Sequence, residues 1–302
     1  MDAKTILVIL LIVIALAYHA FWYADVRRRR ATAGASAANV SPTARSMGIG
    51  FVANFFDTLG IGSYATTTSM LKLWNVIPDE KIPGTLNVGY VMSTVVQAVI
   101  FMTIVEVEFT TLVSIIGAAV LGAWLGAGVV AGLPRRKVQI GMGTALLGAA
   151  ALMVVSLTGI GPAPGEALGL TGGKLAIAVG CSVVLGALMM LGIGFYAPCL
   201  IMISLLGMNP RVSYPIMMGA CAFLMPSGSI QFIRKQRYDL RTAIAFLIGG
   251  PLAVLLAAPL VDAIPLLYLR ILVLVVVLYT AVRMLMAAAS EKAMAGVPVI
   301  KP

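Results

Sequence analysis

Gly60-Ile61-Gly62-Ser63-Tyr64-Ala65 and Gly192-Ile193-Gly194-Phe195-Tyr196-Ala197 are two copies of one phrase, G-I-G-x-Y-A, each set inside a long apolar segment. Paired glycines disfavour a helix interior, so each copy predicts a break. The copies lie 192 − 60 = 132 residues apart in a chain of 302, which predicts a tandem of two related halves. In a membrane protein, matched interruptions of this kind point to a binding site.

Composition makes the chain a membrane protein before any motif is read. It is 61% hydrophobic and 11% charged, with a mean hydropathy of +1.03, and cannot coat a soluble globule with polar surface. Apolar runs of about 20 residues, each enough for a hydrocarbon core of ~30 Å, recur along it. The first, 6–24, ends in Trp22-Tyr23 and precedes Arg27-Arg28-Arg29-Arg30. A cleavable signal carries its charges before the apolar stretch, so this run reads as a retained anchor with its arginines in the cytoplasm. Residues 31–45, rich in Ala, Ser and Thr, read as a linker. Further candidate segments are 46–75, 84–104, 112–133, 138–158, 175–208, 212–232, 242–261 and 267–287.

Charge sidedness decides how the two interrupted segments run. If 46–75 and 175–208 both cross, the 21 Lys and Arg divide into 13 cytoplasmic and 8 external. If both enter and return on the same side, 17 become cytoplasmic, and only Lys4, Lys174, Arg211 and Arg270 remain outside. The second arrangement fits the positive-inside rule better. Length agrees, because an unbroken helix from Ser46 to Asn75 would be ~45 Å long, more than the core requires. Two half-helices meeting at Gly60 and Gly62 would reach the middle and turn back, and irregular backbone survives there only in protein or against a polar cavity.

The expected fold is therefore all-α and polytopic, with two inverted repeats, a broken or re-entrant hairpin in each, and an extra N-terminal transmembrane helix. Its parts would be 1–45, anchor and linker; 46–158, the first repeat; 159–176, an external loop; 177–289, the second repeat; and 290–302, a cytoplasmic tail. Lys81 pairs with Arg211, Gly89 with Gly219 and Pro134 with Pro265 at nearly the same offset. The N-terminus is expected outside and the C-terminus inside the plasma membrane.

The run Gly48-x-x-x-x-x-Asn54-Phe55-Phe56-Asp57-Thr58-Leu59-Gly60-Ile61-Gly62, followed by Pro83-Gly84-Thr85-Leu86-Asn87, resembles the first half of a TauE/SafE-type sulfite exporter permease. Leu191-Gly192-Ile193-Gly194, Pro198 and the Gly219 region resemble its second half. The resemblance extends over the chain apart from the N-terminal anchor. It implies a permease for sulfite, sulfonates or other small, often sulfur-containing, anions. The chain departs from the commoner family pattern, in which a third glycine follows the G-x-G and a proline opens the next half-helix. Ser63-Tyr64 and Phe195-Tyr196 stand there instead, and only the second copy has its proline, Pro198.

Helix physics points to an anion independently. An outgoing half-helix starts with unpaired N–H groups and the positive end of its dipole, so it can hold an oxyanion without a buried Lys or Arg. Gly60, Gly62, Gly192 and Gly194 would permit close backbone approach. Ser63, Tyr64, Thr66, Thr67 and Tyr196 would add donors, and Pro198 suits a first helical turn. Cys199 follows Pro198, Thr85 and Asn87 lie on the next helix, and Ser227, Ser229 and Gln231 on its counterpart. Each has a structural alternative: hydroxyls in membrane helices bond their own backbone or a neighbour, tyrosines pack, and buried cysteine acts as a small apolar residue.

Asp57 is the one acidic residue deep in an apolar segment, opposite Met189 in the second half. It is expected either to couple transport by carrying a proton or to accept backbone N–H bonds at the break. Lys81 and Arg211 would attract anions to a vestibule on each face or serve as snorkelling anchors.

Other classes fit less. The net charge of +10 is dispersed at segment ends, which does not suit nucleic acid. The single histidine, His19, and three cysteines without a C-x-x-C pair offer no metal set, and no cofactor motif is present. An intramembrane enzyme would need a nucleophile with its base or a second acid. The expectation is a secondary transporter in the lipid bilayer, carrying a small anion held where the two tips meet, with a passive anion channel and an intramembrane enzyme as alternatives.

Overall fold

A computed structural model describes residues 3–33, 41–158, 165–192, 194–261 and 267–295. Ile193 and Pro265, used above to trace the repeat, lie outside the described residues. The described chain is helical: α1 (Ala3–Ala33), α2 (Ala44–Thr58), α3 (Ser63–Leu73), α4 (Ile82–Gly89), α5 (Val91–Ile104), α6 (Phe109–Val130), α7 (Arg135–Thr158), α8 (Gly172–Met189), α9 (Tyr196–Leu205), α10 (Ser213–Arg234), α11 (Leu240–Ala257) and α12 (Leu267–Ala295). Among the described residues, six helices are long and apolar enough to cross a membrane: α1, α6, α7, α8, α10 and α11. The protein is a multi-pass membrane protein.

Helix starts follow capping chemistry. The Thr43 hydroxyl accepts the Ser46 N–H ahead of α2, and the Asp239 carboxylate accepts that of Thr242 ahead of α11. Ahead of α6, Glu108 accepts from both Thr110 and Thr111. These side chains satisfy donors that the first turn cannot pair internally.

Three sequence expectations change. The first helix extends through Arg27–Arg29 to Ala33, so part of the anticipated linker is helical. It is not an appended anchor either, because Leu7, Leu11, Ala15, Tyr18 and Trp22 form a buried stripe at helical spacing. The Tyr18 hydroxyl donates to the Val88 carbonyl and the Trp22 indole to the Tyr238 hydroxyl, which ties α1 to the body of the protein. Second, the segment expected at 84–104 is bent by 42° between α4 and α5, at Tyr90. Gly89 lies so close to Ala243 and Phe246 that an added Cβ would stand 2.9–3.1 Å from them, and tertiary packing fixes the chain there. Third, α8 has 18 residues, about 27 Å at 1.5 Å per residue. The incoming arm of the second break is long enough to cross, whereas α2 has 15 residues and α3 has 11.

Packing is reciprocal. Helix α2 lies along α11, and α8 along α6; α3 touches α12, and α9 touches α7; α5 meets α10, and α7 meets α12. Both long contacts depend on small residues. Gly122 and Gly126 of α6 face Val183 and Ala187 of α8, while Gly186 faces Ala119, and a Cβ at any of the three would strike backbone. Gly249 of α11 similarly faces the Met47 carbonyl of α2. Helix α10, the most enclosed of the six long helices, runs between α4, α5 and α6. This arrangement brings the α2–α3 and α8–α9 breaks together.

Candidate functional site

The first break is the four-residue interruption 59–62 between α2 and α3. Gly60 and Gly62 both have φ of +89°, and Gly192 has φ of +99° in the second break. L side chains rarely adopt such angles, so any other residue at these three positions is strained. Both breaks fall within the stretches that the doubled phrase predicts.

The two copies of the phrase touch. A Cβ added at Gly60 would stand 3.0 Å from the Tyr196 hydroxyl oxygen and 3.1 Å from that of Tyr214, while one added at Gly194 would stand 3.8 Å from the Tyr64 Cβ. Each copy therefore sets its tyrosine against a glycine of the other. Tyr214 stacks on Phe101, with ring centroids 5.0 Å apart, and approaches Tyr196 at 5.8 Å.

A cavity of about 520 Å³ opens where the copies meet. Ile61, Gly62, Tyr64 and Ala65 line it from the first tip, and Gly194, Tyr196 and Pro198 from the second. Helix α7 closes it with Thr144, Ala145, Gly148, Ala151, Leu152 and Met153. Most of this wall is apolar. The Thr144 hydroxyl donates to the Ile140 and Gly141 carbonyls of its own helix.

Asp57 caps α3. One carboxylate oxygen accepts the Ser63 N–H at 2.6 Å, and the other accepts the Gln97 side-chain amide at 3.1 Å. The same Gln97 nitrogen donates to the Thr58 hydroxyl at 3.0 Å, and Thr58 in turn donates to the Asn54 carbonyl. The first tip thus carries its own anion at the positive end of the outgoing helix. The second has Met189 at the place of Asp57 in the repeat, resting near the Cys221 thiol with 3.7 Å between sulfurs.

The remaining candidates have protein partners. Thr66 donates its hydroxyl to the Gly62 and Ser63 carbonyls. Thr67 shares a 2.7 Å hydrogen bond with the Tyr90 hydroxyl, and Tyr64 donates to Asn87 Oδ1 at 3.0 Å. Asn87 donates its amide to the Pro83 carbonyl. Thr85 donates to the Lys81 carbonyl and accepts the Asp239 N–H, which ties α4 to the turn before α11. Cys199 is fully buried behind Pro198. Lys81 and Arg211 stand at the starts of α4 and α10, outside the cavity wall.

Sequence reasoning missed Tyr90, Gln97, Tyr214 and the α7 wall. Tyr90 joins the site through the unforeseen bend and stacks on Phe246 with centroids 4.6 Å apart. For α7 a signal existed: Gly141, Thr144, Ala145 and Gly148 recur at helical spacing and mark a smooth face against which another element can approach.

The family described as Sulfite exporter TauE/SafE matches residues 2–153. That match starts at α1 and ends within α7, so it includes the helix expected to stand outside the resemblance and does not extend over the second half. No curated protein and no solved structure matches the chain.

Proposed function

Since the chain belongs to the Sulfite exporter TauE/SafE family, a family of membrane transporters, we propose that it is a secondary transporter of a small sulfur-containing oxyanion, held where the two tips meet. The observation that carries this reading is the shared cavity, lined by both copies of G-I-G-x-Y-A. Of the two tips, the second is the one without a carboxylate at this place, because Asp57 occupies the Ser63 N–H of α3 while its counterpart in the repeat is Met189.

The cavity favours an organic sulfonate over bare sulfite. A volume of about 520 Å³ falls within the range of small-molecule pockets, and an apolar wall suits a carbon chain attached to the charged head. Reciprocal packing of α2 on α11 and α8 on α6 supports inverted repeats at 46–158 and 177–289, with alternating access as one half rocks on the other. Lys81 and Arg211, at equivalent places of the two repeats, attract the anion to opposite faces. The membrane is the plasma membrane, with the N-terminus outside.

Asp57 is the coupling residue. An anion entering beside its carboxylate meets like charge, so a cationic charge that neutralises Asp57, a proton in the simplest case, raises anion affinity, and the anion reciprocally favours that charge. A thermal-stability screen of the purified protein against sulfite, sulfate, thiosulfate, short alkanesulfonates and carboxylates tests the reading. Alkanesulfonates should give the largest saturable rise in melting temperature. Stabilisation by organic cations or metals alone would overturn the anion assignment.

A further inference from the structure

The cluster that holds Asp57 contains more oxygen than the protein satisfies. Asn54, Ser93 and Gln97 are fully buried between α2, α5 and α11. Asn54 Oδ1, Ser93 Oγ and Gln97 Oε1 nevertheless have no hydrogen-bond partner. Leaving one buried acceptor unpaired is costly, and three in one place call for an occupant.

The orientation of both amides is fixed by their nitrogens. Asn54 Nδ2 donates to the Gly50 carbonyl at 2.8 Å, and Gln97 Nε2 donates to Asp57 and Thr58, so in each case the oxygen is the unpartnered end. The groups occupy neighbouring turns of two helices in contact with one another. Ser93 and Gln97 are one helical turn apart on α5, as are Asn54 and Asp57 or Thr58 on α2. Gln97 bridges the two helices at one level, and at the next Ser93 Oγ and Asn54 Nδ2 both crowd Gly250 of α11, Asn54 Nδ2 at 3.1 Å from the place a Cβ would take. Among the described residues, no Lys, Arg or His forms an ion pair with Asp57.

We propose that this cluster is a Na⁺ site, with Asn54 Oδ1, Ser93 Oγ and Gln97 Oε1 as ligands and Asp57 as the neutralising charge. The inference rests on the reading of Asp57 as the coupling residue and names the ion. A hard monovalent cation takes oxygen donors, and one carboxylate among neutral oxygens balances a single positive charge. A proton on Asp57 would neutralise the carboxylate but leave the three neutral oxygens without partners. A water would serve those oxygens but leave the carboxylate unbalanced. One cation meets both needs. It would lie at the end of α2, where the helix dipole is negative, while the anion lies at the start of an outgoing helix, where it is positive.

The test is a melting-temperature titration of the purified protein with NaCl against choline chloride at constant ionic strength and pH. Na⁺ should raise the melting temperature saturably above choline, and Ser93→Ala should move the Na⁺ midpoint upward by about tenfold, the usual scale for a weakened metal shell. Asp57→Asn should abolish the Na⁺ response. Superimposed Na⁺ and choline curves for the unmodified protein would overturn the proposal in favour of water and a protonated Asp57, and this comparison needs no variant to fold. Repeating it with ethanesulfonate separates the two readings. An ethanesulfonate shift without a Na⁺ shift leaves the anion site standing and removes the cation site; a Na⁺ shift without any anion shift does the reverse.

Discussion

Gly60→Ala and Gly62→Ala form a matched pair that isolates the contact between the two tips. Both glycines have φ of +89°, so alanine at either place is strained, by about 1–2 kcal/mol or more for an L residue at positive φ. Their surroundings differ. At Gly62 nothing lies within 4 Å of an added Cβ, whereas at Gly60 that methyl would stand 3.0 and 3.1 Å from the Tyr196 and Tyr214 hydroxyl oxygens. Ordinary van der Waals contact begins near 3.4 Å, so these two phenols must retreat by a few tenths of an ångström. Both variants should lose stability in melting experiments, so transport is compared per folded protein. Uptake of a labelled alkanesulfonate into proteoliposomes, normalised to folded protein, should separate them: near the unmodified rate for Gly62→Ala and about tenfold lower for Gly60→Ala, the effect of ~1.4 kcal/mol on the transport barrier. Adding Tyr196→Phe to Gly60→Ala removes one crowding oxygen and should restore part of the loss. Equal normalised uptake in Gly60→Ala and Gly62→Ala would refute the claim that tip contact matters for transport.

Asp79→Leu should destabilise the protein by about 1–3 kcal/mol, because it strands the half-buried Lys72 ammonium that Asp79 pairs with at 2.5 Å; the double variant Lys72→Met/Asp79→Leu should recover most of the loss in melting temperature. Hydrogen bonding to the Thr111 side chain, aided by the Thr110 and Thr111 backbone N–H groups, outweighs desolvation and holds Glu108 down at about 2. A depressed carboxylate contributes stability above its unfolded value and loses it as pH falls through its folded one. The melting temperature of Glu108→Gln should therefore lie below that of the unmodified protein at neutral pH, with the gap closing between about 4.5 and about 2. Lys81→Cys and Arg211→Cys, each in a background with Cys181→Ser, should react with an impermeant maleimide from opposite faces, the first from the cytoplasm and the second from outside. Labelling of both from one face would exclude the inverted arrangement.

What the sequence made legible is what glycine and charge impose locally. Positive φ at Gly60, Gly62 and Gly192 follows from the residue type, and the doubled phrase located both breaks. Long apolar runs gave the membrane class and most helix positions. The bend at Tyr90 was illegible because nothing in Val88-Gly89-Tyr90-Val91 forbids a helix; it arises from the close approach of Gly89 to α11, a tertiary constraint. Gln97 was passed over for a related reason. A lone glutamine in an apolar helix carries no pattern, and its role depends on α5 turning it toward Asp57. The integration of α1 was readable in principle from the spacing of Leu7, Leu11, Ala15, Tyr18 and Trp22, but a continuous apolar run hides such a stripe, since lipid and protein accept the same side chains.

The two tips share a backbone shape and differ in electrostatics, and that difference orders their work. A symmetric pair of uncapped half-helices would attract anions equally and give no means of linking anion binding to a second ion. Asp57 removes that symmetry. By capping α3 through Ser63 it cancels the positive end of one outgoing helix and places a carboxylate between that helix and the oxygen-rich face of α2 and α5. At the equivalent place Met189 is apolar and faces a thiol, so no carboxylate stands there. On the proposed reading, the second tip holds the anion and the first responds to the charge that accompanies it. Tyr196 reaches from the second tip onto Gly60 of the first, and on the proposed reading this is the contact through which the two tips would be linked.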